Sequence, residues 1–182
     1  MDSEVHRIMY ISPSFSKSGG APGVRAYYLS KSIEEGGEFN LIKISNDPYD
    51  SFSDIFIPKI FAKGQNRFFR RAIDELHFGL RACFSLRNLS RRRDLVIIST
   101  PYYLSFLVIG VFAIFLRFRL IVDVRDSYPE AYVGAGVFKA DSIIVRLLAA
   151  INRRIFIKAE LVSTATEGIK SHVLKSLPPG NA

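Results

Sequence analysis

Two short apolar runs separated by a longer one, all between residues 94 and 130, restrict the fold of this chain more than any other feature. The first run, Leu95–Ile98, stops at a Ser-Thr-Pro break, and the second, Leu120–Val124, stops at Arg125-Asp126. The apolar run between them, Leu104–Leu116, suits the crossover helix that two parallel strands require. Ligands of open parallel sheets bind at the carboxyl ends of the strands. The segment therefore predicts a βαβ unit with a candidate site just after its second strand.

Strand-like and helix-like segments alternate along the whole chain. This order predicts an α/β fold: a Rossmann-like, doubly wound, mainly parallel sheet with helices on both faces. The predicted strands are Val5–Ile11, Phe39–Ile44, Ile55–Ile57, Leu95–Ser99, Leu120–Val124 and Leu161–Ala165. The predicted helices run from Pro22 to Gly36-Gly37, over Gln65–Leu89, from a Thr100-Pro101 cap, over Asp141–Lys158, and from a capping box of Thr164 and Glu167. Asp126–Phe138 is predicted to be a long loop.

Apolar residues at helical spacing predict which helix faces meet the core. On the second helix these are Phe69, Ile73, Leu76, Leu80, Cys83 and Phe84, and on the helix after the long loop they are Ile144, Leu147, Leu148, Ile151 and Ile155. Leu104–Leu116 is apolar all round, which favours burial between the sheet and its neighbours. A helix partly immersed in a membrane interface is the alternative.

The chain carries 25 basic and 17 acidic residues, a formal net charge of +8. Nine basic residues against two acidic ones lie between Lys63 and Arg93. Such a patch suits phosphates, nucleic acid or an anionic membrane, whereas the simpler interpretation is a solvated helix face. The arginines predicted to form it are Arg67, Arg70, Arg71, Arg81, Arg91, Arg92 and Arg93.

Several kinds of chemistry are disfavoured by composition. Cys83 is the single cysteine, so no intrachain disulfide can form, which fits a reducing compartment, and its apolar neighbours predict that it is buried. The three histidines lack metal-ligand spacing, so we predict no metal site. The N-terminus has no secretory pattern, and the longest apolar run is shorter than the roughly 20 residues of a spanning helix. The phenylalanines near the basic patch suit a core stripe better than nucleic-acid stacking.

A glycine loop, Ser16–Gly23, separates the first strand from the first helix. Glycines there let backbone N–H groups approach a phosphate at the start of a helix. The loop matches neither GxGxxG nor GxxxxGK[ST], which argues against a dinucleotide dehydrogenase and a P-loop ATPase. Phosphate or sugar contact is the hypothesis, and a plain flexible turn is the alternative.

Two further clusters follow predicted strands. In the first, Asp126 could act as a base or orient a hydroxyl, while Arg125 could bind a phosphate or hold Asp126 as an ion pair, with Pro129-Glu130 just beyond. The alternative is a structural ion pair that closes a loop. The second cluster, Thr164-Ala-Thr166-Glu167, caps the last helix and could also face an anion.

In combination, these motifs resemble the N-terminal half of a GT-B glycosyltransferase of family 4, from the branch that builds bacterial capsule, O-antigen and related exopolysaccharides. The order and spacing match over most of the chain, and Val-Arg-Asp-x-x-Pro-Glu is the most specific element. The residues that carry the resemblance are Gly19-Gly20-Ala21 with Arg25, Asp94-Leu-Val-Ile-Ile-Ser-Thr-Pro, Val122-Asp-Val-Arg-Asp-Ser-Tyr-Pro-Glu, and Thr164-Ala-Thr-Glu-Gly-Ile-Lys.

The resemblance implies sugar transfer with retention, from a nucleotide-sugar co-substrate to a saccharide acceptor, with no resident cofactor. In this branch the acceptor would be linked to polyprenyl diphosphate. Gly19 and Gly20 would face the donor phosphate or sugar, and Asp126 would be catalytic at the acceptor side. The other acceptor-side residues would be Arg25, Arg125, Glu130, Thr166 and Glu167. Many relatives have His at position 125 and Leu-Trp at Ser127-Tyr128, so those details do not carry over.

The resemblance also sets expectations for domain organisation and location. Residues 1–176 would form the acceptor-binding domain and 177–182 would begin a linker, while the donor-binding domain with its paired glutamates is absent, so this piece would be inactive alone. The basic helix would hold the protein on the inner face of the cell membrane as a cytoplasmic, peripheral protein. One alternative is a stand-alone module that recruits a donor-binding subunit to the membrane. Another is a different nucleotide-binding Rossmann domain or a nucleic-acid binder.

Overall fold

A computed structural model describes residues 7–17, 20–60, 67–89 and 94–178. They form a six-stranded, all-parallel sheet in the order β3-β2-β1-β4-β5-β6. The strands are β1 Arg7–Ile11, β2 Asn40–Ser45, β3 Ile55–Phe56, β4 Leu95–Ser99, β5 Arg119–Val124 and β6 Leu161–Thr164. The helices are α1 Gly20–Gly36, α2 Arg67–Leu89, α3 Tyr103–Leu116, α4 Glu130–Gly134, α5 Ile143–Lys158 and α6 Glu167–Ser176. The predicted Rossmann-like α/β class is confirmed, and the arrangement is consistent with one half of a GT-B fold.

Each face of the sheet has its own core. The larger core joins alternate strand residues such as Met9, Val96 and Val122 to α2, α3 and α5. The smaller core joins Tyr10 and Ile97, on the opposite face, to Phe15 and α1. Because side chains alternate along a strand, every central strand must be apolar on both faces, which explains their continuous apolar runs.

The strand order reverses between β1 and β4. Helix α1 leads outward from β1 to β2, whereas α3 leads the other way from β4 to β5. The loops after these strands therefore diverge and leave a crevice at the carboxyl edge, where ligands of doubly wound sheets bind.

Helix α2 buries only part of the stripe that its sequence predicts. Cys83 is buried as predicted, but Phe69, Leu76, Leu80 and Phe84 are 69%, 41%, 62% and 60% exposed. The other buried residues lie on the neighbouring face and are Glu75, Phe78, Gly79, Ala82 and Leu86. Gly79 explains the orientation, because a Cβ there would lie 3.0 Å from the Cα of Ser105, so α2 and α3 approach backbone to backbone. Burial raises the pKa of Cys83 to about 12, as expected of an unreactive core thiol.

The predicted inward faces of α5 and α3 are wrong in part. On α5, Ile155 is buried and Leu148 and Ile151 pack on the core, but Ile144 and Leu147 are 48% and 59% exposed. On α3, Val111 and Phe115 are 50% and 82% exposed. On both helices, apolar residues therefore cover a wider arc of the helix surface than the neighbouring elements bury.

Some helix boundaries differ from the predictions. Helix α3 begins at Tyr103 with no side-chain cap, and α5 begins at Ile143 with Ser142 as its N-cap. Helix α4 lies inside the segment predicted to be a loop. Within the described part of the chain, no helix is long and apolar enough to cross a membrane.

Candidate functional site

Asp123, near the carboxyl end of β5, is the centre of a buried charge cluster. Its side chain is 1% exposed. Its Oδ1 accepts from the Nε of Arg25 at 3.2 Å, and its Oδ2 accepts from the Nε of Arg125 at 2.7 Å. Ser99, its register partner on β4, donates Oγ–H to Oδ2 at 3.2 Å. Two guanidinium groups thus share one carboxylate.

Arg125 pairs with Asp123 and not with Asp126, so the ion-pair alternative drawn from the sequence is wrong. The reason is the strand period of two, which places residues 123 and 125 on one face and residue 126 on the other. The Nη1 of Arg125 donates to the carbonyl of Ala21 at 3.4 Å. Its Nη2 is buried and, among the described residues, has no hydrogen-bond partner. Part of this guanidinium is therefore unsatisfied at the start of α1.

Arg25 connects α1 to the two strands beyond β4. Besides Asp123, it contacts β6, where its Nη2 donates to the Oγ of Ser163 at 3.0 Å. The cluster leaves a net positive charge of one beside the N-terminus of α1, which itself carries partial positive charge. Burial and the charge of Asp123 raise the pKa of Tyr10, which therefore stays protonated there. This end of the sheet is suited to an anion.

Hydrogen bonds fix the chain at the start of the glycine loop, just after β1. Ser14 Oγ accepts from the backbone N–H of Ser16 at 3.2 Å, and an Asp50 carboxylate oxygen accepts from the N–H of Phe15 at 2.6 Å. A Cβ at Gly23 would lie 2.9 Å from the carbonyl oxygen of Ser16, so only glycine fits this close approach. Gly20 opens α1 with φ +72°, and Gly19 lies outside the described residues.

Asp126 follows Arg125 directly in the chain, and its side chain is exposed. Together with Tyr128, Asn152 and His172 it lines a small cavity. Tyr103 donates its hydroxyl to Asn152 Oδ1 at 3.0 Å, and Asn152 Nδ2 donates to the carbonyl of Tyr128 at 2.8 Å. These bonds fix the floor of the cavity below the Asp126 carboxylate.

The other predicted acceptor-side residues occupy helix starts at this edge. Glu130, in the first turn of α4, pairs with His172 Nε2 on α6 at 3.2 Å. Thr166, not Thr164, caps α6 and accepts from the N–H of Ile169 at 3.3 Å. Glu167 is exposed and pairs with Lys170 at 3.4 Å. Sequence spacing gave the wrong cap because Thr164 is still the last residue of β6.

Thr100 was predicted to cap α3, but it closes the strand edge instead. Its Oγ1 accepts from the backbone N–H of Arg125 at 2.9 Å. The following carbonyl, of Pro101, accepts from Arg71 Nη2 at 3.1 Å. The β4–α3 loop is therefore tied to β5 on one side and to α2 on the other.

The described members of the predicted arginine patch have different surroundings. Arg71 reaches the strand edge and pairs with the buried Glu75 at 2.8 Å, whereas Arg81 is exposed on the outer side of α2. Arg70 is half-buried. Arg91, Arg92 and Arg93 lie outside the described residues, and so does the side chain of Arg67.

An apolar groove of about 660 Å³ runs along the outside of α2, α3 and α5. We call it the apolar groove and define it by Leu80, Cys83, Phe84, Arg87, Leu107, Val108, Val111, Phe112, Phe115 and Ile151. Arg87 is its one charged residue, and α5 beside it carries four basic and no acidic residues. Exposed apolar surface next to basic side chains is typical of an interaction surface.

A second concavity, of about 460 Å³, lies at the carboxyl ends of β1, β2 and β4, beside the crevice. We call it the edge pocket and define it by Pro13, Ser14, Pro22, Asn46, Asp47, Lys59, Arg71, Pro101 and Tyr102. Apart from Arg71, its polar residues were missed in the sequence, and so was Asp123. A charged residue inside an apolar strand was the available signal for Asp123, because a buried carboxylate requires partners.

No group of three or more His, Cys, Asp or Glu side chains in the described ranges could hold a metal ion.

Comparison with known proteins gives one partial match. No family model matches the chain. Over 92 residues, half of this chain, it is 33% identical to "Probable glycosyltransferase WbjE" of Pseudomonas aeruginosa. The aligned part makes up 22% of that relative's length, so the match covers far less than two thirds of the relative. The match supports a relationship with glycosyltransferases.

Proposed function

We propose that the protein containing this chain transfers a sugar, with retention, from a nucleotide-sugar to a saccharide acceptor on a polyprenyl-diphosphate carrier, and that this domain binds the acceptor. The 33% identity to a probable glycosyltransferase carries the proposal. The Rossmann-like sheet supports it, because its charged carboxyl edge lies where such sheets bind ligands. Surface-polysaccharide biosynthesis is the process we infer from the sequence resemblance.

In this proposal different residues at the sheet edge bind the diphosphate and accept the proton of the acceptor hydroxyl. The start of α1, with Gly20 and the positive cluster of Arg25 and Arg125, faces the diphosphate that leaves with the nucleoside. Asp126 is exposed and has no ion-pair partner among the described residues, so its carboxylate is available to a substrate hydroxyl. It orients that hydroxyl and accepts its proton as the acceptor oxygen bonds to the anomeric carbon and the nucleoside diphosphate departs.

We also propose that the apolar groove rests on an anionic membrane surface. The exposed side chains of Leu80, Phe84 and Phe115 would enter the interface between headgroups and acyl chains. Arg87 lines the groove, and Arg154 lies one helical turn from Ile151, so positive charge meets the lipid phosphates. Each such residue near an anionic surface contributes roughly 1 kcal/mol. The face of α1 offers no comparable surplus, since its two basic residues are balanced by Glu34 and Glu35.

The experiment uses the complete natural polypeptide. Radiolabelled nucleotide-sugars are incubated with it and with lipid-linked saccharides extracted from its source, and label in the lipid fraction is measured. We expect transfer by the wild type and a loss of about 100-fold or more for Asp126→Asn, which removes a proton acceptor worth that much.

Asp141→Asn is the matched control, because Asp141 is an exposed aspartate in the loop before α5. It should keep wild-type rates. Absence of transfer from every nucleotide-sugar tried, with a folded protein, would reject the proposed function. Equal rates for the two variants would reject the role of Asp126 alone.

A further inference from the structure

The edge pocket lies outside the charge cluster and has its own polar chemistry. Its lining comes from the loops after β1, β2, β3 and β4, together with Pro22 of α1 and Arg71 of α2, and it opens beside the point where the strand order reverses. Its volume of about 460 Å³ lies within the range of small-ligand sites. Its position and size are those of a binding site rather than of a packing gap.

Asn46 is the residue that most needs a ligand here. It is 2% exposed, and its side-chain Oδ1 and Nδ2 are both buried without a hydrogen-bond partner among the described residues. Its backbone N–H is satisfied by the carbonyl of Pro13 at 3.3 Å, so only the amide is left over. Buried amides are nearly always hydrogen-bonded, and an orphaned one lowers stability. Asn46 is one of the residues that line the edge pocket, so a bound molecule that reaches the buried amide would satisfy it.

Two cations border the same pocket. Lys59 is exposed and makes no ion pair within the described ranges. Arg71 also lines the pocket and is held in place by Glu75 on its Nε and by the Pro101 carbonyl on its Nη2. The one acidic residue in the lining, Asp47, already accepts from the N–H of Tyr49 at 3.1 Å. The pocket is therefore equipped for an acidic group.

The amide of Asn46 restricts the ligand further. A carboxylate or a fully ionised phosphate monoester alone could accept from Nδ2 but would leave Oδ1 without a donor. A hydroxyl-bearing molecule satisfies both atoms, because a hydroxyl donates and accepts. A saccharide with an acidic substituent is the ligand class that supplies both groups at once.

We propose that the edge pocket binds a saccharide bearing a carboxylate or phosphate, with Asn46 on its hydroxyls and Lys59 and Arg71 on its acidic group. This inference rests on the proposed function in one respect, because it takes the bound saccharide to be part of the acceptor. The pocket then selects acidic acceptors over neutral ones.

The test measures binding by saturation-transfer NMR with the complete natural polypeptide and three probes: glucuronic acid, glucose and inorganic phosphate. We expect glucuronic acid to bind more tightly than either other probe. Asn46→Leu should weaken glucuronic acid binding by about tenfold, the effect of one or two lost hydrogen bonds. Lys59→Gln should remove the preference for glucuronic acid over glucose, and Lys139→Gln, an exposed lysine elsewhere, should leave it intact.

Folding is checked by thermal unfolding of each variant. Asn46→Leu replaces an orphaned amide by an apolar group of similar volume, so its midpoint should stay equal to or above that of the wild type. A lower midpoint, or glucuronic acid binding that Asn46→Leu and Lys59→Gln leave unchanged, would overturn the proposal. Phosphate binding as tightly as glucuronic acid would overturn the saccharide assignment.

Sugar transfer is assayed on the same preparations. Transfer by the wild type with an unchanged acceptor KM in Asn46→Leu would overturn this inference and leave the proposed function standing. The opposite result is also possible: the wild type binds glucuronic acid, the variants weaken that binding, and the wild type transfers no sugar. That result would overturn the proposed function and leave this inference standing.

Discussion

The edge pocket and the apolar groove are both concave and similar in size, but they are built from opposite kinds of residue. The pocket is formed by loops at strand ends, where backbone groups and polar side chains are left over from the sheet. The groove is formed by the outer faces of three helices, and nine of its ten residues are apolar or cysteine. Strand ends in this fold supply recognition of polar ligands, whereas helix exteriors are free to carry an interaction surface.

The largest effect should come from the charge cluster that supports the polar edge. Asp123→Ala leaves the buried guanidinium of Arg125 and the partly exposed one of Arg25 without their shared carboxylate. Breaking a buried ion pair in this way costs about 3–5 kcal/mol of unfolding free energy, measured by urea denaturation. Asp126→Ala, at an exposed position, should change it by less than about 0.5 kcal/mol. Equal effects would show that the cluster does not organise this edge.

The next effect tests the groove. Phe115→Ser removes a ring that is 82% exposed, so folding stability should hardly change. Binding to liposomes rich in anionic lipid should weaken by about 1.5–3 kcal/mol, the free energy of burying such a side chain. Sedimentation with liposomes measures it, and high salt should weaken wild-type binding further. Tyr49→Ser, an exposed aromatic residue away from the groove, is the control. Equal losses for both variants would contradict the groove as the membrane surface.

Two buried asparagines give a matched pair at the polar edge. Asn152 has both side-chain groups bonded, and Asn152→Leu would orphan the buried hydroxyl of Tyr103. We expect it to lose about 1–3 kcal/mol of unfolding free energy. Asn46→Leu should lose none. A similar loss in both would mean that Asn46 is satisfied within the folded chain and is not reserved for a ligand.

The smallest effect concerns Glu75, which lies on α2 between the edge pocket and the apolar groove. Burial raises its pKa above the ordinary value of 4.5, against the opposing bonds from Leu104 and Arg71. The folded state therefore holds this proton more tightly than the unfolded state, and unfolding free energy falls as pH rises from 4.5 through the folded-state pKa. Glu75→Gln should remove that part of the pH dependence, as followed by urea denaturation across pH 4 to 8. An unchanged slope would assign the dependence to other groups.

The strand pattern and the Rossmann-like class could be predicted because continuous apolar runs and short connections leave few alternatives. The exposed stripe of α2 could not, since apolar residues cover a wider arc of that helix than α3 and the sheet can bury. Periodicity locates an apolar face but does not say which neighbour covers it. Gly79 sets which face of α2 meets α3, because it allows the two backbones to come close together. Nothing in the sequence alone marks this glycine as the point of contact.

The structure places the predicted residues Arg125 and Asp126 at the carboxyl edge of the sheet, but Arg125 pairs with Asp123 and not with Asp126. Arg125 and Asp126 are adjacent in sequence, and that adjacency suggested an ion pair. The strand period of two could have identified Asp123 as the partner. Asn46 and Lys59 lie in loops without a recognisable motif, and only the fold brings them together with Arg71.

The two outer strands of the sheet are very short, two residues in β3 and four in β6. An outer strand offers unpaired backbone groups to any other chain, and long flat ones are sites of aggregation. Here the central strands carry the apolar length, while the margins offer few backbone groups on which another sheet could extend. The protein can therefore concentrate on a surface or in a dense assembly without its sheet acting as a template for fibrils.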